Sequence, residues 1–208
     1  MEGQISKRAQ ETRERLRRAA RRLFLRQGYQ ATSVEAILAE AGVSSKETFY
    51  RHYANKEALF ADVLSQLTME QPGFVQRLSA LPQPHDLPSL REALTLLAHE
   101  IVAMIVQPGY LPLVRMILTE SSRFPQLGVL FFSTVTQRGI AHIMTILRTA
   151  RERDVIADLD LEAVTRALLG GLVGTVLMSA VLGGQLEQPL IIERVDAVVA
   201  VIMRALAP

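Results

Sequence analysis

Apolar positions recur with a helical period along most of the chain. Leu16, Ala19, Ala20, Leu23 and Phe24 fall at i, i+3, i+4, i+7 and i+8, the single stripe of an amphipathic helix. Arg15, Arg18, Arg22 and Arg26 form a second stripe on that helix, and Gly28 stops it. Thr32 and Glu35 have capping-box spacing and predict a short second helix with Val34, Ile37, Leu38 and Ala41 inward, ended by Gly42. A third helix begins near Ser44 or Ser45 and carries Phe49 and Tyr50. Asn55 is a good N-cap for a fourth, with Leu59, Phe60, Val63 and Leu67 on one side.

Pro72, Gly73, Pro82, Pro84 and Pro88 interrupt the pattern and mark a domain boundary, with room for a short helix between Phe74 and Leu81. Ser89 with Glu92 opens the next helix, which ends near Pro108-Gly109. A helix over 111–122 and a long one over 126–152 follow, separated by Pro125. Asp158 or Asp160 caps an apolar helix reaching Leu182, and Pro189 starts the last one. No strand pattern competes. The expected fold class is all-α: an N-terminal three-helix head and a larger helical body, about nine helices in all. The expected organisation is a head over 1–54, a linker helix and loop over 55–88, and a body over 89–208.

Composition narrows the chemistry. Of 208 residues, 49% are hydrophobic, enough for a packed core, and none is Cys. The absence of Cys excludes disulfides, thiolate zinc sites and thiol nucleophiles, and suits a reducing cytoplasm. The N-terminus is charged through Arg26 with no apolar leader segment. Net charge is +2, yet residues 1–56 hold twelve Lys+Arg against six acids, leaving the remainder net acidic. A basic head on an acidic body points to a polyanion partner.

Two short helices flanking Gly42-Val43 have helix-turn-helix spacing, the second being the candidate recognition helix. Lys46 can donate to guanine O6/N7, and Thr48 can bond a base or touch a thymine methyl. Tyr50, Arg51 and His52 can donate to phosphate oxygens, and Lys56, in the first turn of the next helix, can attract a phosphate. Phe49 and Tyr53 read as core anchors. Thr32, Ser33, Ser44, Ser45 and Glu47 complete the candidate DNA-binding set.

From about Arg15 to Phe60 the chain resembles the tetracycline-repressor (TetR) family of bacterial transcription regulators. The matching pieces include Ala19-Ala20, Leu23-Phe24, Gly28-Tyr29, Ala31-Thr32-Ser33-Val34, Ala41-Gly42-Val43-Ser44, Thr48-Phe49-Tyr50-Arg51-His52-Tyr53 and Asn55-Lys56-Glu57-Ala58-Leu59-Phe60. Leu38 stands where the family usually has Ala, and one residue is surplus between Gly42 and Thr48. Two registers are therefore open. Either Ser44 caps the recognition helix with Glu47 completing a box, or Ser45 caps it after a longer turn. The second keeps Thr48 and Tyr50 at family positions. A one-residue slip rotates a helical side chain by about 100°, so the choice decides how Lys46 and Glu47 face.

The resemblance implies a homodimer on a palindromic operator, with repression the more usual sign. It also implies a dimer interface built from the last two helices: Leu169, Gly170, Val173, Gly174, Leu177, Met178, Val181, Val195, Val199 and Ile202. The stretch from Arg115 to Phe132, with Glu120 and Arg123-Phe124-Pro125, is similar to the AefR-like branch of these regulators. An apolar effector cavity is expected in the body, with His99, Met104, Met116, Glu120, Phe131, Phe132 and His142 as candidate lining.

The other readings are fewer. The uncharged run from Ala167 to Gly184, with Gly170-x-x-x-Gly174, has the minimum length of a membrane span, but a fully apolar soluble helix is one buried on all sides. His52, His85, His99 and His142 show no metal-ligand pairing, and no phosphate-loop or nucleophile-elbow motif occurs. The expectation is a cytoplasmic DNA-binding regulator and not an enzyme, with no cofactor, metal or membrane partner. The alternative is a dimeric interaction or lipid-binding protein that does not read DNA.

Overall fold

A computed structural model of the chain describes residues 7–66, 72–179 and 188–208. These form eleven α-helices: α1 Lys7–Gln27, α2 Val34–Ala41, α3 Lys46–His52, α4 Lys56–Ser65, α5 Pro72–Ser79, α6 Leu87–Ile105, α7 Tyr110–Glu120, α8 Pro125–Phe131, α9 Gln137–Glu152, α10 Leu161–Leu177 and α11 Gln188–Leu206. No strand occurs among the described residues. The long helix expected over 126–152 is broken by a π-helical stretch, Phe132–Thr136, which separates α8 from α9. The optional short helix between the prolines is present as α5. Among the described residues no single helix is long and apolar enough to cross a membrane.

The chain divides into two compact units, 1–67 with 112–134, and 68–111 with 135–208. The division differs from the expected one: α4 and most of α7 and α8 belong with the head rather than with a linker or body. In the first unit the apolar stripe of α1 (Leu16, Ala19, Ala20, Leu23, Phe24) packs with Ile37 and Leu38 of α2, Phe49 of α3 and Leu59, Phe60, Val63 and Leu64 of α4, all buried. Phe24, Tyr29 and Phe60 form a mutual ring cluster with centroids 5.4 Å apart in every pair. Stacked and edge-on ring pairs at this spacing add to the area they bury.

In the second unit α6 is the central helix. Leu90, Ala93, Leu94, Leu97, Ala98 and Ile101 are buried there, against Ile143 and Leu147 of α9, Leu168, Leu172 and Val176 of α10, and Val195 and Val199 of α11. The cap of α6 is Asp86, three residues ahead of the expected Ser89. Its carboxylate accepts from Ser89 N at 2.8 Å, and Ser89 Oγ accepts from Asp86 N at 3.1 Å. Asp160 caps α10 through Glu162 N and Ala163 N. Gly171 lets α10 approach α11, because a Cβ there would meet Val198 Cγ1 at 2.9 Å.

The head is also held by one part-buried carboxylate. Asp62 of α4, 10% exposed at its side chain, accepts from Tyr53 Oη at 2.5 Å and from Arg13 Nε at 3.1 Å, with Arg17 Nη1 at 3.9 Å. Burial pushes this carboxyl up, but the hydrogen bonds from Tyr53 and Arg13 and the charges of Arg13 and Arg17 outweigh it and leave it below its ordinary value. A folded-state value below the unfolded one stabilises the fold above the unfolded value, and that stabilisation is lost as pH falls through the folded one. Replacing Asp62 by Asn is expected to cost about 2 kcal/mol at neutral pH. In denaturant titrations the difference should stay constant down to about pH 5 and shrink below about pH 4.

Candidate nucleic-acid interface

The α2–turn–α3 unit is built from caps. Ser33, not Thr32, caps α2, its hydroxyl accepting from Ala36 N at 3.1 Å. Thr32 is instead fully buried and donates to Gly28 O at 2.7 Å, which removes it from the DNA-facing set. Gly42 ends α2 in the left-handed conformation (φ 62°), with Gly42 N donating to Ala39 O and Val43 N to Leu38 O, both bonds that close a helix end. The Arg15 guanidinium donates to Ala41 O and Gly42 O at 2.7–3.0 Å. One of the α1 arginines is thus committed to carbonyls that the helix end leaves free.

The register question has a definite answer. Ser45 is the N-cap of α3, in extended conformation, its hydroxyl accepting from Thr48 N at 3.3 Å. The turn simply runs one residue longer, through exposed Ser44. Phe49 then points inward, fully buried, and Tyr53 ends the helix in the core. Lys46, Glu47, Tyr50 and Arg51 are exposed and Thr48 is half-exposed. Tyr50 is 56% exposed and lies edge-on to Phe49 with centroids 5.3 Å apart, which fixes its direction. Lys46 forms an ion pair with Glu35 of α2, and Arg51 lies 3.7 Å from Glu47 one turn earlier. His52 is half-buried; burial first, then Arg13 and Arg51, push its imidazole below the ordinary value.

Lys56 also holds the α1–α2 turn. Its ammonium donates to Tyr29 O and Thr32 O, both at 2.9 Å, and lies 4.1 Å from the Tyr29 ring centroid. Burial pulls its pKa down, against the opposing charges of Glu57 and Glu120. The α1–α2 turn thus takes two of the three donors of this ammonium.

Glu120, expected at an effector cavity, holds the other side of the same turn. Its carboxylate accepts from Tyr29 N and Gln30 N, both at 2.8 Å. Arg123 donates to the Gln30 side chain at 2.7 Å, and Phe124 meets the Tyr29 ring edge-on at 5.6 Å. Gly28, at φ 83°, passes so close to Glu120 Oε1 that a Cβ would collide with it.

The remaining cavity candidates divide between the units. Met116, Phe131 and Phe132 lie with Glu120 in the first; His99, Met104 and His142 lie in the second. His99 Nε2 is 2.8 Å from Asp196 Oδ1 and joins α6 to α11. Met104 is buried, Phe132 is exposed, and His142 is half-buried, lowered by burial and then by Arg138. Of the interface candidates, Val195, Val199 and Ile202 are buried in their own unit and so are not available to a second subunit. Their side of α11 faces α6 and α10, the two helices that α11 packs against. Leu169, Val173, Gly174 and Leu177 are half-exposed and Gly170 and Met178 exposed; Val181 lies outside the described residues.

An all-α chain whose first helices form a capped helix-turn-helix head is a DNA-binding regulator by fold and site. Residues 16–63 match the family model of bacterial regulatory proteins of the tetR family, and residues 92–208 match the AefR-like transcriptional repressor C-terminal domain. The second match covers more than half of the chain, and the chain belongs to the TetR family of transcription regulators. TcmR of Streptomyces glaucescens, an HTH-type transcriptional regulator, is 46% identical over 56 residues; the match spans 27% of this chain and 24% of TcmR. Among solved structures, the flavonoid-responsive regulator FrrA is 30% identical, with TM-score 0.72 over 95% of this chain and 97% of FrrA. TylP, a TetR regulator from Streptomyces fradiae, is 28% identical, with TM-score 0.62 over 97% of this chain and 89% of TylP.

The assignment of the cap is open to direct measurement. Ser45→Ala should destabilise the fold by about 1 kcal/mol, while Ser44→Ala should stay within about 0.5 kcal/mol of wild type. Urea titration of both variants distinguishes the two registers.

Proposed function

We propose that this protein is a repressor that binds a palindromic operator as a homodimer and is released by a small apolar effector. One observation carries the DNA-reading part: α3, capped by Ser45 and anchored by buried Phe49, presents Lys46, Glu47, Tyr50 and Arg51 outward from one short helix. Lys46 and Thr48, at the N-terminal end, reach base edges; Tyr50 and Arg51 contact phosphates. Ser33 and the free N–H groups at the start of α2 add a further phosphate contact.

Dimerisation is supported by the outward face of α10. Ala163, Ala167, Gly170, Gly174 and Met178 follow helical spacing; Gly174 is half-exposed, the others exposed, Met178 at 64%, with open space where a Cβ of Gly170 or Gly174 would stand. On α11 the exposed apolar positions among the described residues are Ile192, Ala197, Val201 and Ala205. Small residues let a second pair of helices approach closely, and a twofold dimer matches a palindrome. The likeness to the flavonoid-responsive regulator FrrA makes flavonoids the first effector class to test. The protein acts in the cytoplasm, where its DNA is.

The test is fluorescence anisotropy with fragments of the DNA upstream of its own coding region, against random duplex, across a salt series. The expected result is a preference for one upstream fragment, with affinity falling linearly on a log–log salt plot. Arg51→Ala should weaken binding to every duplex and flatten the slope by about one counterion per head; Thr48→Ala should relax selectivity at one base position. Equal binding to upstream and random duplex at every salt concentration would favour a helical interaction protein without operator reading.

A further inference from the structure

Both exposed cations of the recognition helix are paired with carboxylates. Lys46, 59% exposed, meets Glu35 (60% exposed), which projects from the first turn of α2; Arg51 meets Glu47 on α3 itself. Arg22 of α1 is likewise paired, with Glu40 near the end of α2, at 2.9 Å. Each acid on α2 and α3 thus lies beside a basic residue that could otherwise contact a phosphate. The Glu35 carboxyl is held below its ordinary value by the Lys46 hydrogen bond first, and Lys46 is held above its own by the same bond, so both stay charged over the whole neutral range.

Such pairs contribute little to stability, since exposed ion pairs are worth at most about 1 kcal/mol. Their effect on DNA binding is larger in principle. Non-specific affinity arises almost entirely from cations that replace condensed counterions on phosphates. A cation already neutralised by a neighbouring carboxylate releases fewer counterions when it reaches a phosphate, and the displaced carboxylate is left facing the polyanion. At a site that offers Lys46 both N7 and O6 of a guanine, the base contact compensates for the lost ion pair. At any other site nothing does.

We propose that Glu35 is a specificity-determining residue of the head: its carboxylate pairs with Lys46, and the loss of that pair is offset by a guanine but not by a phosphate, which lowers binding to non-operator DNA. Glu35 acts through Lys46 and is a positioning residue in this account. The device works by penalising wrong sites rather than by adding contacts to the right one. This inference rests on the operator-reading function proposed above.

The test uses the full-length protein and two 30-base-pair probes, one duplex enriched by the wild-type protein from a random pool and one of scrambled sequence. Glu35→Gln is expected to raise affinity for the scrambled duplex about tenfold, and to steepen its salt slope by about one counterion per head. Affinity for the enriched duplex should rise about threefold or less, so the specificity ratio falls. Glu47→Gln, which frees a phosphate-contacting Arg51, should raise affinity for both probes alike, and Glu35→Asp, which keeps the charge, should restore most of the wild-type ratio. Circular dichroism of each variant verifies the fold. Equal gains on both probes in Glu35→Gln would overturn the proposal, since the carboxylate would then act as bulk charge. Loss of the enriched duplex alone in Glu35→Gln would also overturn it, because Glu35 would then be reading a base itself. If the wild-type protein enriches no sequence, the operator reading fails, and this inference fails with it.

Discussion

The head depends on how the α1–α2 turn disposes of its backbone groups. Helix α1 ends at Gln27, and the chain must reverse within a few residues to start α2 at Val34. That reversal leaves N–H groups at Tyr29 and Gln30 and carbonyls at Tyr29 and Thr32 without helical partners. Opposite charges meet them: the Glu120 carboxylate takes the two N–H groups and the Lys56 ammonium takes the two carbonyls. Charge-assisted bonds of this kind are stronger than neutral ones. The turn thereby ties α1, α2, α4 and the end of α7 into one unit. Gly28 is needed there twice, for its positive φ and because a Cβ would strike Glu120.

Much of the head was legible in the sequence because its signals are local. The stripe on α1, the stops at Gly28 and Gly42 and the Asn55 cap all lie within a few residues of the element that they shape. The surplus residue left Ser44 and Ser45 as competing caps, and spacing alone could not choose between them. The bond from Thr48 N to the Ser45 hydroxyl decides it.

What the sequence obscured is long-range. Glu120 and Tyr29 stand 91 positions apart, so no local pattern joins them, and an isolated Glu on a helix end looked like a polar group in a cavity. Lys56 had the right type and place for a phosphate clamp, and only packing reveals that the Tyr29 and Thr32 carbonyls take it. On α11 the apolar residues form a broad band. Periodicity finds the band but not which part meets the rest of the chain, and Val195, Val199 and Ile202 fall on the inner part. The π-helical break at Phe132–Thr136 adds one residue per turn without a Pro or a Gly to announce it.

Ion pairs and charge-assisted bonds thus recur through the head: its turn carbonyls take one lysine, Asp62 takes Arg13 and Tyr53, and the exposed cations of α3 take Glu35 and Glu47. The claim on which all of this rests is that Glu120 holds the α1–α2 turn. Native-state hydrogen exchange of the Tyr29 and Gln30 amides in wild type and in Glu120→Ala tests it most directly. The account predicts that both amides are protected in wild type and exchange at least about tenfold faster in the variant, in line with the loss of a charge-assisted bond. Exchange at the rate of an open turn in wild type, or rates unchanged by the substitution, would contradict it.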